Sequence, residues 1–100
     1  DNKGIYLQTV SGADARAIYE GEVTWCAPMN GNYAVIVQHG NYRSVYSPLK
    51  KIYVKQGDKL TAKQAIGEIY TNTSEDNKTE LYFQIYKDRS ILNPGLWLAQ

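Results

Sequence analysis

The octapeptide Glu80-Leu81-Tyr82-Phe83-Gln84-Ile85-Tyr86-Lys87 constrains the fold of this chain more than any other stretch. Its strict alternation is the period of a half-buried β-strand, because successive side chains of a strand point to opposite faces. One face is Leu81, Phe83 and Ile85; the other is Glu80, Tyr82, Gln84 and Tyr86. Burying the three apolar residues contributes about 1.5–3 kcal/mol each. A slip of one residue would invert both faces, so the register is pinned and the second face points outward. Its side chains suit contact more than core, since Tyr joins a large apolar area to a hydroxyl that tolerates water.

The rest of the chain supplies further strands. One hundred residues make a single domain. Residues 4–8 read as a short edge strand before the turn at Ser11-Gly12, and residues 15–19 and 21–25 as a strand-turn-strand about Glu20-Gly21, with Val23 and Trp25 on one face. Residues 28–32 read as a loop, and the apolar run 33–37 as a central strand covered on both faces. Gly40-Asn41 turns the chain into a returning strand. There Tyr42, Ser44, Tyr46 and Pro48 share one face, Val45 and Leu49 the other, and Pro48 ends that strand or sits at its edge. Residues 52–54 and 65–70 are also extended, and residues 71–79 form a mobile polar loop of the kind that gates a groove. No amphipathic helix is present in the pattern, so the chain is predicted to be almost entirely β. Leu96, Trp97 and Leu98 are expected to clamp one end of a sheet.

Composition excludes several functions. Eleven Lys and Arg against ten Asp and Glu leave a formal charge of +1, which gives no electrostatic case for nucleic acid or an anionic membrane. No apolar run approaches the ~20 residues of a bilayer span, so no membrane insertion by this domain is expected. One Cys and one His cannot furnish the usual thiolate or imidazole zinc cage, and no disulfide can form within the chain. His39, the sole imidazole, shares parity with Val35 and Val37 and reads as a hydrogen-bonded structural residue. The carboxylate pairs Glu20/Glu22 and Glu75/Asp76 fall in turns or polar loops, and the glycines are too scattered to cradle a phosphate. No cofactor is expected.

Six pieces then stand in a familiar order. They are Ala17-Ile18-Tyr19-Glu20-Gly21-Glu22-Val23, Val35-Ile36-Val37-Gln38-His39-Gly40, Val54-Lys55-Gln56-Gly57-Asp58-Lys59-Leu60, Ile66-Gly67, Leu81-Tyr82-Phe83-Gln84 and Asn93-Pro94. Together they resemble the LytM or lysostaphin-type zinc endopeptidase domain across nearly the whole chain. The resemblance implies an all-β fold of barrel-sandwich-like antiparallel sheets, the duplicated-hybrid-motif type, with an open groove. Active members hold zinc with an H-x-x-x-D pair and a late H-x-H pair, and carry a middle catalytic histidine. Here the first pair falls on Asn2 and Tyr6, the middle histidine on Pro48, and the late pair on Glu80 and Tyr82. Tyr and Pro at those places remove zinc's ligands and fill its volume.

This substitution pattern looks most like the degenerate, EnvC-like branch of the family, the murein hydrolase activators of Gram-negative division, with departures at Gln84 and Tyr86. That likeness implies a non-catalytic C-terminal domain, residues 1–100 of a longer periplasmic protein, that binds and activates a cell-wall N-acetylmuramoyl-L-alanine amidase. Its expected contacts are Tyr6, Tyr33, Tyr46, Tyr82, Gln84 and Tyr86, since aromatic side chains in a groove anchor a partner. The alternative is direct binding of peptidoglycan or its glycan through the same tyrosines.

Overall fold

Strand β9 (Lys78–Lys87) is buried on one face along most of its length, with Thr79, Leu81, Phe83 and Ile85 in the core and Glu80, Tyr82, Gln84 and Tyr86 half-exposed on the other side. The computed structural model describes residues 4–87 and the backbone of β10 (Ser90–Leu92). On one side β9 pairs with β5 (Tyr42–Ile52); on the other it pairs with β1 (Ile5–Thr9) and, further along, β10. Beyond β5 the sheet continues through β4 (Asn32–His39) and β3 (Gly21–Met29) to the two-residue β6 (Lys59–Leu60), with all neighbours antiparallel. The second half of β5 pairs with β7 (Ala65–Ile69), and β7 pairs with β2 (Asp14–Arg16). Ala15, Ile66 and Ile69 from these strands join Val23, Val35, Val37, Leu49, Phe83 and Ile85 in one buried cluster. The expected all-β architecture of antiparallel sheets around a shared core is therefore present.

Local chemistry sets the corners. Asn30 and Gly31 both take positive φ, 53° and 85°, as a two-residue hairpin turn requires, and Asn and Gly tolerate that conformation best. This tight turn replaces the longer loop expected over residues 28–32, and Pro28 and Met29 belong to β3. At the centre of the sheet Tyr46 lies beside Phe83, ring centroids 5.3 Å apart, and both side chains are fully buried.

Four expectations need correction. The proposed hairpin about Glu20-Gly21 does not form, because β2 pairs with β7 across the core. Val23 and Trp25 do not share a face: a register shift between them rotates the strand, so Val23 is buried while Trp25 is 42% exposed. Pro48 does not end its strand. It sits where β5 leaves β9 after Ser47 and takes up β7 from Leu49, so its missing N–H coincides with a change of partner, while its carbonyl accepts the Tyr70 N–H at 3.1 Å. That exchange also shifts the phase, placing Leu49 in the core with Tyr46 while Val45 points outward. Finally, the polar stretch 71–79 is largely structured: β8 (Thr71–Asn72) pairs with β9, and Asn72 Oδ1 accepts the Ser74 N–H to cap a short 3-10 turn, Thr73–Glu75. The expected clamp of Leu96, Trp97 and Leu98 lies outside the described residues.

Phe83→Ala is expected to cost about 3–5 kcal/mol, because it opens a cavity against Tyr46 in the buried cluster. A thermal melt checks it: a shift of only a degree or so would mean that the faces of β9 are assigned the wrong way round.

Candidate functional site

Strand register carries the outward residues into rows that cross the sheet. Tyr6 stands opposite Tyr82, and Tyr82 opposite Ser47. Gln84 stands opposite Val45, Val45 opposite Ile36, and Ile36 opposite Trp25. Tyr86 stands opposite Arg43, and Arg43 opposite Gln38. With Met29 and Ala34, most of these side chains line a groove of about 420 Å³ on the side of the sheet away from the core. Its floor is apolar, from Ala34, Ile36 and Val45, and its walls are aromatic or flexible, from Trp25, Met29, Tyr82 and Tyr86. The Tyr6 ring, 66% exposed, lies 4.7 Å from the Tyr82 ring at 32° and extends the aromatic wall onto β1. Gly4 holds this corner together. At φ 152° its backbone passes so close to β9 that an added Cβ would lie 2.7 Å from Gln84 Cγ and 3.0 Å from Tyr82 Cε1.

Of the six residues expected to line a binding groove, the structure brings Tyr82, Gln84 and Tyr86 together and sets Tyr6 against them. Tyr46 and Tyr33 lie elsewhere. Tyr46 pairs with Phe83 and faces inward; its hydroxyl accepts the Ile18 N–H at 3.3 Å and hydrogen-bonds Ser44 Oγ at 2.8 Å. Burial pushes its phenol pKa up, partly offset by those two bonds. Tyr33 is half-buried and packs on the core cluster. Trp25, Met29, Ile36, Arg43 and Val45 were not anticipated. The parity of β4 could have supplied Ile36, whereas Trp25 depends on the register shift and Val45 on the phase change at Pro48.

The positions onto which the resemblance carries the family's zinc ligands are placed as follows. Tyr6 and Tyr82 stand opposite each other, Tyr82 also faces Ser47 beside Pro48, and Glu80 lies opposite Gln8; Asn2 lies outside the described residues. The donor set does not fit zinc: Tyr6 and Tyr82 offer phenols, the Pro48 ring offers no donor atom, and the Glu80 carboxylate is 3.8 Å from Lys78 Nζ. Among the described residues no cluster of three His, Cys, Asp or Glu side chains could hold a metal ion.

His39 lies outside this groove, in a wider recess of about 1250 Å³ at the other end of β3 and β4, rimmed by Tyr19, Glu22, Tyr42 and Lys59. Both ring nitrogens are engaged: Nδ1 with the Glu20 carbonyl at 2.9 Å and Nε2 with Ser44 Oγ at 2.7 Å. A carbonyl only accepts, so Nδ1 carries a proton. The Ser44 hydroxyl also meets Tyr46, so the imidazole belongs to a buried structural chain, as its parity suggested. Burial lowers the His39 pKa, partly opposed by the Glu20 bond.

Residues 1–94 match the family model of peptidase family M23. The chain belongs to peptidase family M23. It is 37% identical over 99 residues to stage II sporulation protein Q of Bacillus subtilis, covering 93% of this chain and 35% of that protein. It is 27% identical over 100 residues to murein hydrolase activator EnvC of Escherichia coli K12, covering 98% of this chain and 24% of that protein. Among solved structures, a complex of SpoIIIAH and SpoIIQ matches at 33% identity with a TM-score of 0.71, over 84% of this chain and 61% of the other. The solution structure of lysostaphin matches in fold, with a TM-score of 0.84 at 24% identity over 96% of this chain and 42% of lysostaphin. The chain spans about a third or less of the length of its curated relatives.

Two measurements follow from the site. Dialysed protein is expected to hold far less than one zinc per chain by elemental analysis, and stoichiometric zinc together with cleavage of a stem-peptide substrate would overturn the reading of the substituted ligands. For His39, the folded-state pKa lies below its ordinary 6.5, so the unfolded chain binds the proton more readily. The stabilisation is complete above pH 6.5 and is lost as pH falls from there through the folded-state value. Melting curves should therefore fall more steeply between pH 7 and 5 for the natural chain than for His39→Gln; parallel curves would contradict this.

Proposed function

We propose that this M23 domain is a non-catalytic docking module that works in the periplasm, on cell-wall chemistry carried out by another protein. The observation that carries the reading is the groove. On the sheet face away from the core an apolar floor, Ala34, Ile36 and Val45, lies between Trp25, Met29, Tyr82 and Tyr86. Such a surface buries apolar area against a partner's helix or loop, with rigid aromatic anchors at low entropic cost. Tyr82 and Tyr86 are four residues apart on one strand, roughly 13 Å at ~3.3 Å per residue, about the reach of two helical turns.

The finer proposal is that the occupant is a cell-wall N-acetylmuramoyl-L-alanine amidase, which the docking activates during division. Support comes from the likeness to a relative named as a murein hydrolase activator; murein lies outside the cytoplasmic membrane, which agrees with a periplasmic site of action. Likeness to SpoIIQ, solved in complex with SpoIIIAH, supports protein docking more broadly. The glycan-binding alternative draws on the same groove, where the Tyr82 and Tyr86 rings could stack on sugar rings, and pull-down with purified sacculi separates the two.

The double change Tyr82→Ala and Tyr86→Ala is expected to leave the melting temperature nearly unchanged while removing more than ~2 kcal/mol of amidase binding, about thirtyfold in affinity. Dye release from labelled sacculi by the amidase should lose its stimulation in parallel. Full stimulation by the folded double variant would move the interface off this strand.

A further inference from the structure

The two long edges of the sheet are built differently. At β3, the Val23 N–H is taken by the Asp58 carbonyl and the Val23 carbonyl by the Gly57 N–H, both at 2.8 Å, and Pro28 further along has no N–H to offer. That edge is guarded in the way natural sheets avoid unwanted pairing. Strand β1 is not guarded: its five residues pair with β9 on one side and, among the described residues, with no strand on the other. The stretch Ile5-Tyr6-Leu7-Gln8-Thr9-Val10 carries no charge, no Pro and no Gly, and Tyr6, Leu7 and Val10 are exposed. An uncharged, β-prone edge of this kind is a template for another strand.

A second feature lies beside it. A slot of about 360 Å³ opens between β1 and β2 and reaches the core at Tyr46, Ile69, Leu81 and Phe83. Its mouth is bordered by Leu7 on β1, so a side chain hanging inward from a strand added along β1 would enter it. We propose that the edge of β1 away from β9 receives an extended, uncharged segment of a partner protein. The segment pairs its backbone with Ile5–Thr9 and places bulky apolar side chains, at every second position, into the slot. A second copy of this chain is the poorer occupant. Two five-residue edges meeting side by side run only about 17 Å at a strand spacing of ~4.8 Å, a strip on the order of 100 Å², far short of the ~800 Å² per partner that holds a stable dimer. A flexible segment adds the slot to the backbone pairing.

The test needs no knowledge of the partner, nor of what the groove binds. The probes are fluorescein-labelled octapeptides alternating threonine with leucine, valine or phenylalanine, each also made with N-methyl groups at every odd or every even position. At least one parent peptide is expected to bind the purified chain with Kd below about 1 mM and to protect the β1 amides from hydrogen exchange. N-methylation in one phase should weaken binding at least ~tenfold and in the other should not, because alternate N–H groups of a strand face opposite edges. Leu7→Lys should weaken it by a similar factor, while Tyr86→Ala, in the groove, should leave it within about twofold. Absence of binding by every peptide, equal effects of both N-methyl phases, or unprotected β1 amides would each overturn the proposal. So would a concentration-dependent dimer in sedimentation that Leu7→Lys dissolves, which would assign the edge to a second copy.

Discussion

The contact between Phe83 and Tyr46, two buried rings 5.3 Å apart on adjacent strands, fixes the side of the central sheet that becomes core. Once β9 turns Leu81, Phe83 and Ile85 inward, pairing with β5 forces Ser44 and Tyr46 inward as well, and Tyr82, Gln84, Tyr86, Arg43 and Val45 outward. The inner polar atoms are then satisfied in a chain: Ser44 links Tyr46 to His39, and His39 reaches the Glu20 carbonyl. No buried side-chain polar atom of the described residues lacks a partner. A unique register with a satisfied interior makes the outer face a fixed surface, so the proposed docking rests on packing that lies on the opposite side of the sheet.

Parity read from sequence succeeded where strands run without interruption. The eight alternating residues of β9 gave both faces correctly. Parity had nothing to read in the uniformly apolar run 33–37, which was expected to be covered on both faces: Ala34, Val35 and Val37 are buried, but Ile36 faces the open groove. It failed at irregularities with no compositional mark. The shift between Val23 and Trp25 parted two residues expected to share a face and made Trp25 a groove wall, and the partner exchange at Pro48 separated Val45 from Leu49. Tyr46 was misplaced for another reason. A tyrosine with a hydroxyl to satisfy resembles a surface residue until Ser44 and the Ile18 amide are seen to supply its partners. Hydrogen bonds across 28 residues of chain leave no local trace.

Membership of peptidase family M23 makes the chemistry of this face worth weighing against zinc binding. At the positions onto which the sequence resemblance carries the family's zinc ligands, this chain sets Tyr6 on Tyr82, with Pro48 and an ion-paired Glu80 nearby. Those residues are poor at metal binding and good at covering apolar surface. Beside them, Trp25 and Met29 leave large apolar area open to solvent. Clustered exposure of this kind is unusual for a surface that meets only water.

The most direct test of a protein-docking outer face is a methyl NMR titration of the domain with a cell-wall amidase. The Ile36, Val45 and Met29 methyls line the groove, whereas the Ile66 and Ile69 methyls are buried beyond the sheet. The expected result is large, saturable shifts or broadening at Ile36, Val45 and Met29 with Ile66 and Ile69 little changed. Saturable binding that leaves the three groove methyls unperturbed, or no binding at all, would contradict it.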